Sequence, residues 1–286
     1  MSYPIIFVHY GNPDWLKYAL LQAKEFNSEV ILIGDETNNQ YPFIKHYHIT
    51  DYYENAAEFK KVYKRLSRRE VEFELFCFER WFIIENFMQK HNLQHCFYQD
   101  SDNMLYINVK EYNEKYHKNA PPLACFHATG CSFFINSFKE YQKFCLFFKN
   151  HYTDPNLFKE LEIENKELQS AQDAGISDMQ LFFRFTRQHS SLWNDLLQIT
   201  NNSFFCCNVV LAQGFETVDD LKKVYFMDGD LYCKHIRMNK FLRCNTLQFQ
   251  GKSKQYIPYF YKDTLSQLKE SSYFDYKTCK WISIEK

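Results

Sequence analysis

Glycine and proline are scarce, with seven of each in 286 residues, where soluble chains usually carry roughly 7% and 5%. That excludes collagen-like and Pro/Gly-rich low-complexity proteins, and it predicts that each glycine sits at a turn that demands it. The ten cysteines form no C-x-x-C pair, which argues against a zinc knuckle. Cysteines in apolar stretches, such as Cys77 and Cys145, read instead as small buried residues. No apolar run approaches the ~18 residues that a membrane span needs. Met1 to Tyr10 lacks the basic region of a secretory leader, so the expected compartment is the cytoplasm. Neither sign of charge dominates: 34 basic and 35 acidic residues leave a net −1, which excludes nucleic-acid binding by bulk charge. G-x-G-x-x-G is also missing, which disfavours a Rossmann dehydrogenase.

Aromatic residues are abundant: 29 Phe, 21 Tyr and 4 Trp make up 19% of the chain. With 45% apolar and 24% charged residues, the composition is that of a folded globular protein. The opening segment reads as a βαβ unit. Pro4 to His9 is strand-like, Tyr10-Gly11-Asn12 is a turn, and Asn12-Pro13 suits an N-cap followed by a first helical proline. Leu16, Leu20 and Ala23 recur at helical spacing before a second strand, Glu29 to Ile33, which stops at Gly34-Asp35. Strand, helix and strand in about 30 residues imply a parallel sheet.

Further strands are expected over Ile44–Ile49 and His95–Asp100, with a strand pair, Leu123–Thr129 and Cys131–Ile135, around Gly130. Helices are expected over Glu54–Leu66, Val71–His91, Ser137–Asn150, Asn156–Gln172 and Ser177–Gln188, the last capped by Ser177. Glu160, Glu162, Glu164 and Glu167 read as a solvated face. The C-terminal part is less regular and is expected to be helical or irregular. The fold class is α/β, a mostly parallel sheet flanked by helices.

Two D-x-D matches occur, Asp100-Ser101-Asp102 and Asp228-Gly229-Asp230. Fifteen aspartates predict about 0.8 by chance, so spacing alone carries nothing. Context separates them, because the first ends an apolar strand, and that edge of a parallel sheet is where ligands bind. Two carboxylates there can hold a hard divalent cation, which neutralises a diphosphate. The second match reads as a structural turn.

Several pieces in order resemble a GT-A-type nucleotide-sugar glycosyltransferase, in particular glycosyltransferase family eight and related bacterial glycan transferases. They are Val8-His-Tyr-Gly-Asn12, Gly34-Asp35, Arg80-Trp81, Asp100-Ser-Asp102 and Gln248-Phe-Gln-Gly-Lys-Ser-Lys254, spanning most of the chain. The last is similar to the family's H-F-x-G-x-x-K segment, with Gln248 where the pattern has His. The resemblance implies a GT-A-like Rossmann-type fold forming one catalytic domain over 1–286, with a nucleotide-binding half at 1–105 and an acceptor-side half at 106–286. It implies that His9, Tyr10, Gly11, Asn12 and Asp35 meet the nucleoside, and that Arg80, Gly251, Lys252 and Lys254 approach the diphosphate. Arg80 could equally pair with Glu79 or Glu85 on the surface.

Gly130 would let backbone approach the donor sugar, with His127 as a further phosphate contact. Asp100, Asp102 and Gln248 would ligate manganese or magnesium, the Gln weakening metal dependence. Asp178, with Asp100, would be catalytic, as base or charge stabiliser, against a plain helix-dipole role for Asp178. The implied partners are a nucleotide-diphosphate sugar, foremost a UDP-sugar, and a glycan or other hydroxyl acceptor, with retention weakly preferred. The alternatives are a haloacid-dehalogenase-like phosphatase using Asp100 and Asp102, and an inactive carbohydrate-binding relative.

Overall fold

The first strand sets the architecture. In a computed structural model, which describes residues 3–118, 120–171 and 174–284, β1 (Ile5–Val8) is four consecutive buried apolar residues. Such a run marks a strand covered on both faces. Ile6 and Val8 join the core on one side of the sheet, while Ile5 and Phe7 join the core on the other, because successive side chains alternate. The strands that follow are β2 (Val30–Gly34), β3 (Lys45–His48), β4 (Cys96–Gln99), β5 (Asn103–Leu105), β6 (Leu123–Phe126), β7 (Thr129–Ile135) and β8 (Trp193–Asp195). All of them but β5 join β1 in one seven-stranded sheet, in the order β3-β2-β1-β4-β7-β6-β8. Every pairing is parallel except those of β7, which runs antiparallel to both neighbours. The expected mixed α/β fold is therefore present.

The helices are α1 (Leu16–Phe26), α2 (Glu54–Val62), α3 (Val71–Lys90), α4 (Val109–Tyr116), α5 (Phe138–Thr153), α6 (Pro155–Ser170) and α7 (Asp178–Gln188). α1 begins later than expected. Its N-cap is Trp15, without a side-chain bond, because Pro13 and its neighbours form a turn closed by Leu16 N on the Pro13 carbonyl at 3.0 Å. The Asn12 side chain accepts instead from the Tyr41 hydroxyl. α7 begins with the Ser177–Gln180 capping box. Gln172, expected to end α6, lies outside the described residues. Two of the glutamates read as solvated, Glu160 and Glu164, pair with Arg184 of α7.

The expectation of a helical or irregular C-terminal part is corrected. From Ser203 the chain forms β9 (Ser203–Phe204), a ribbon of β10 (Thr217–Val218) and β11 (Leu221–Lys222), and then β12 (Val224–Met227), β13 (Asp230–His235), β14 (Lys240–Cys244), β15 (Thr246–Gln248), β16 (Ser272–Asp275) and β17 (Lys280–Ser283). Six of these make a mostly antiparallel sheet ordered β17-β16-β12-β13-β14-β9, over a core that includes Phe226, Cys233, Leu242 and Phe274. The ribbon turn at Asp219-Asp220 and the β13–β14 turn at Asn239 hide from a Gly/Pro reading because these residues adopt the left-handed conformation, which Asp and Asn tolerate. Asp228-Gly229 turns the β12–β13 hairpin, and Asp230 pairs with Arg243 at 2.8 Å. The second D-x-D is a structural turn.

Nine of the ten cysteines are buried free thiols. No helix among the described residues is long and apolar enough to cross a membrane.

Packing α3 takes Glu74 fully inside, with Oε1 unpartnered. Burial, reinforced by Asp178, pushes its carboxyl up from 4.5 to about 7. Between those values the native state holds a proton the unfolded chain has lost, so this group makes stability fall as pH rises through that window. Glu74→Gln should therefore raise stability by about 1–3 kcal/mol at pH 8 and change little at pH 4. Thermal melts at the two pH values check this, and a Gln variant no more stable at pH 8 would refute it.

Candidate active site

β1 and β4 lie side by side, so the His9–Asn12 turn and the acidic turn after Gln99 share the C-terminal edge of the parallel strands. Ser101 Oγ and His9 Nδ1 join them at 2.9 Å. Burial, then the Lys254 charge, pulls His9 down to about 4, so its ring is neutral at ordinary pH.

Tyr98 and Asp100 are two apart on one chain and point the same way. The Tyr98 hydroxyl donates to Asp100 Oδ1 at 2.6 Å. Arg80, on the inward stripe of α3, donates from Nη1 to the same oxygen at 2.8 Å and from Nη2 to Asp178 Oδ2 at 2.9 Å. Trp81 Nε1 also donates to Asp178 Oδ2, at 3.2 Å. One guanidinium thus spans two carboxylates that reach it from a strand end and a helix start. All four bonds fall on one oxygen of each carboxylate and leave Asp100 Oδ2 and Asp178 Oδ1 to other partners. Burial works against the Arg80 charge, but Asp100, Tyr98 and Asp178 outweigh it and hold the group charged. The surface alternative, pairing with Glu79 or Glu85, is not what forms: Glu79 takes the Tyr53 hydroxyl and Glu85 takes Asn55.

A short antiparallel pairing delivers the late segment. β15 pairs β5 with Gln248 opposite Asn103, and Phe249 N donates to the Asp102 carbonyl at 2.9 Å. Gln248 Nε2 therefore reaches Asp102 Oδ1 at 2.6 Å. Gly251, at φ +56°, opens the following 3₁₀ stretch, which sets Lys254 Nζ 2.9 Å from Asp102 Oδ2 and 4.9 Å from the centre of the Trp15 ring. Burial, then the Asp100 charge, pushes Asp102 up to about 6. Three carboxylates thus face two cations, and the site is short of positive charge.

These groups line one cleft of about 1050 Å³, together with Tyr10, Tyr53, Phe73, Phe76 and Met179. His9, Tyr10, Arg80, Asp100, Asp102, Asp178, Gln248, Gly251 and Lys254 are brought together there. Gly11 and Asp35 lie beside it, with Gly11 N donating to Asp35 Oδ2 at 2.7 Å. Burial raises the Asp35 carboxyl, but its bonds from Thr37 and Gly11 outweigh that and hold it low. Asn12 lines a separate hollow of about 410 Å³ with Lys17, Gln40 and Tyr41. Lys252 is exposed and outside the cleft lining. His127 packs against the Phe183 and Trp193 rings.

At Gly130 a Cβ would come within 2.6 Å of the Trp81 and Phe182 rings, so that glycine makes room for the rings beneath the acidic core. Tyr98, Ser101 and the Phe73–Phe76 wall were not foreseen. Tyr98 could have been found from its two-residue spacing to Asp100, and Phe73 and Phe76 from their helical spacing to Arg80.

The residues here that could hold a divalent cation are Asp100, Asp102 and Gln248. Gln248 Oε1 is a buried acceptor with no hydrogen-bond partner, on the amide whose Nε2 holds Asp102. Oxygen donors alone suit magnesium or manganese. Among the described residues no three His, Cys, Asp or Glu gather to hold a metal, so the amide oxygen would be the third protein ligand.

No family model matches the chain, and no curated protein sequence matches it. Among solved structures it is similar to mouse xyloside xylosyltransferase 1, at 9% identity and TM-score 0.47 over 68% of this chain and 85% of that one. A glycosyltransferase involved in glycosylation of the major capsid of PBCV-1 is similar at 10% identity and TM-score 0.42, over 93% of this chain and all of that one. The WbbM bifunctional glycosyltransferase is similar at 12% identity and TM-score 0.41; 89% of this chain covers 47% of that one, just under half its length. Likenesses this loose carry no argument about activity, which rests on the site itself.

Proposed function

We propose that this chain is a glycosyltransferase that moves a sugar from a nucleotide-diphosphate sugar to a hydroxyl of a glycan or other acceptor. One observation carries the reading. Arg80 spans Asp100 and Asp178 inside the same cleft in which Lys254 and Gln248 hold Asp102. Carboxylates fixed in pairs can bind sugar hydroxyls, and a cation at the rim can bind phosphate.

In the reaction the anomeric C–O bond breaks and its electron pair stays on the diphosphate. The new bond forms from the acceptor hydroxyl, whose proton is lost. Charge therefore grows on the phosphate, and Lys254 stabilises it more in the transition state than in the ground state. A divalent cation on Asp100, Asp102 and Gln248 would add positive charge at the same place. Arg80 fixes Asp100 and Asp178 in place and sets its positive charge between them. The Asp178 oxygen that Arg80 and Trp81 leave aside takes the acceptor proton in an inverting course, or steadies the sugar's positive charge in a retaining one. The resemblance of the late segment favours retention and a UDP-sugar donor, with Tyr10 and Asp35 toward the nucleoside.

Release of nucleoside diphosphate from a panel of nucleotide sugars, with manganese or magnesium, tests the reading. Hydrolysis or transfer of at least one donor supports it. Phosphate release from simple phosphomonoesters, with no nucleotide sugar consumed, would replace it with a phosphatase.

A further inference from the structure

Both oxygens of Asp102 are occupied from within the chain, one by the Gln248 amide at 2.6 Å and the other by the Lys254 ammonium at 2.9 Å. Asp102 is 8% exposed, and the Lys254 side chain is 34% exposed, reaching in from the cleft rim across the Trp15 ring. We propose that Lys254 stands in for the cation on Asp102 in the free protein, so that divalent metal and nucleoside diphosphate enter only as a pair. This rests on the proposed transferase reading and adds to it an order of events at the same site.

Two positive charges compete for Asp102. A metal binds carboxylate oxygen at about 2.0–2.2 Å, and an ammonium already on that carboxylate would lie within a few ångströms of it. At that distance two cations repel strongly in a site so little hydrated. The metal must therefore displace Lys254, whose charge then needs a new partner. No other acidic side chain is recorded on Lys254 among the described residues. A diphosphate supplies that partner, and it supplies further oxygens to the metal. Lys suits the exchange because its charge is a compact point on a flexible stem. Gln248 can remain in place, since its Oε1 is buried and unpartnered while Nε2 serves Asp102. Each ligand then favours the other, and linkage makes the effect reciprocal.

The probes are manganese and uridine diphosphate, and the readouts are free manganese by electron paramagnetic resonance and nucleotide affinity by calorimetry. For the wild type, manganese affinity should rise about tenfold or more with saturating uridine diphosphate, within the usual range of such couplings. Lys254→Met should bind manganese alone about tenfold more tightly than wild type and lose most of that coupling. Lys252→Met, which removes the neighbouring exposed charge, should leave manganese affinity unchanged.

Equal or weaker manganese binding by Lys254→Met overturns the proposal, as does the same gain in Lys252→Met. If Lys254→Met does not fold, the wild-type coupling decides alone, and its absence is an equally adverse result. Failure of the transferase reading looks different. Uridine diphosphate and other nucleoside diphosphates would then bind neither protein under any condition, while the comparison of manganese alone would still report on Lys254.

Discussion

Asp102→Asn is expected to lower sugar transfer by about 10²–10³-fold, some 3–4 kcal/mol of transition-state stabilisation, with the fold retained. The carboxylate carries the charge that faces Lys254 and, in the proposed reading, the metal. Asn keeps the shape but presents an uncharged oxygen to one partner and an N–H to the other. One of the two donors, Gln248 Nε2 or Lys254 Nζ, then meets a donor. Stability should hardly suffer, since burial and Asp100 push Asp102 up to about 6. A carboxyl raised in this way costs stability as pH rises through that value, and the neutral amide removes the cost. Thermal melts at pH 8 should place the variant near wild type, offsetting the lost ion pair. Near-normal turnover by folded Asp102→Asn would remove Asp102 from the mechanism.

Arg80→Met should be the most damaging single change to the site's structure. It leaves buried Asp178 and half-buried Asp100 without their shared counter-ion. Removing one partner of a buried ion pair typically costs about 3–5 kcal/mol. The two carboxylates would then lack the charge that holds them together. Activity should fall with stability at pH 7. Arg80→Lys keeps the charge, but a single ammonium cannot present two nitrogens to two carboxylates, so it should recover stability more than rate. Urea midpoints and initial rates at pH 7 check both statements. An Arg80→Met protein as stable and active as wild type would show that the bridge is incidental.

The opening βαβ unit was legible because four apolar residues in succession, Ile5 to Val8, leave no polar face for solvent. The start of α7 was legible because Ser177 and Gln180 have the spacing of a capping box. The acidic turn could be placed at a sheet edge from the strand before it. Partners across long separations were not legible. Arg80 meets Asp100 at 20 residues and Asp178 at 98, while helix position alone made nearby glutamates look equally good. Gln248 reaches Asp102 only through the β5–β15 register, which no local pattern encodes. The C-terminal sheet was missed because the turn at Asn239 carries no glycine or proline, which leaves Asp228-Gly229 as a lone hairpin signal. Gly130 was read as an approach for ligand, while its nearest neighbours are the Trp81 and Phe182 rings.

In the proposed reading the cleft holds the diphosphate of a nucleotide sugar at Lys254 and the acidic turn. Calorimetric titration of uridine diphosphate against uridine monophosphate, with manganese present, is the decisive comparison between wild type and Lys254→Ala. Wild type should prefer the diphosphate, and Lys254→Ala should lose most of that preference while monophosphate affinity changes little. If other nucleosides are needed, the same pairwise comparison applies to each. Equal weakening of diphosphate and monophosphate, or no preference in wild type, would contradict the claim and leave Lys254 as no more than a counter-ion to Asp102.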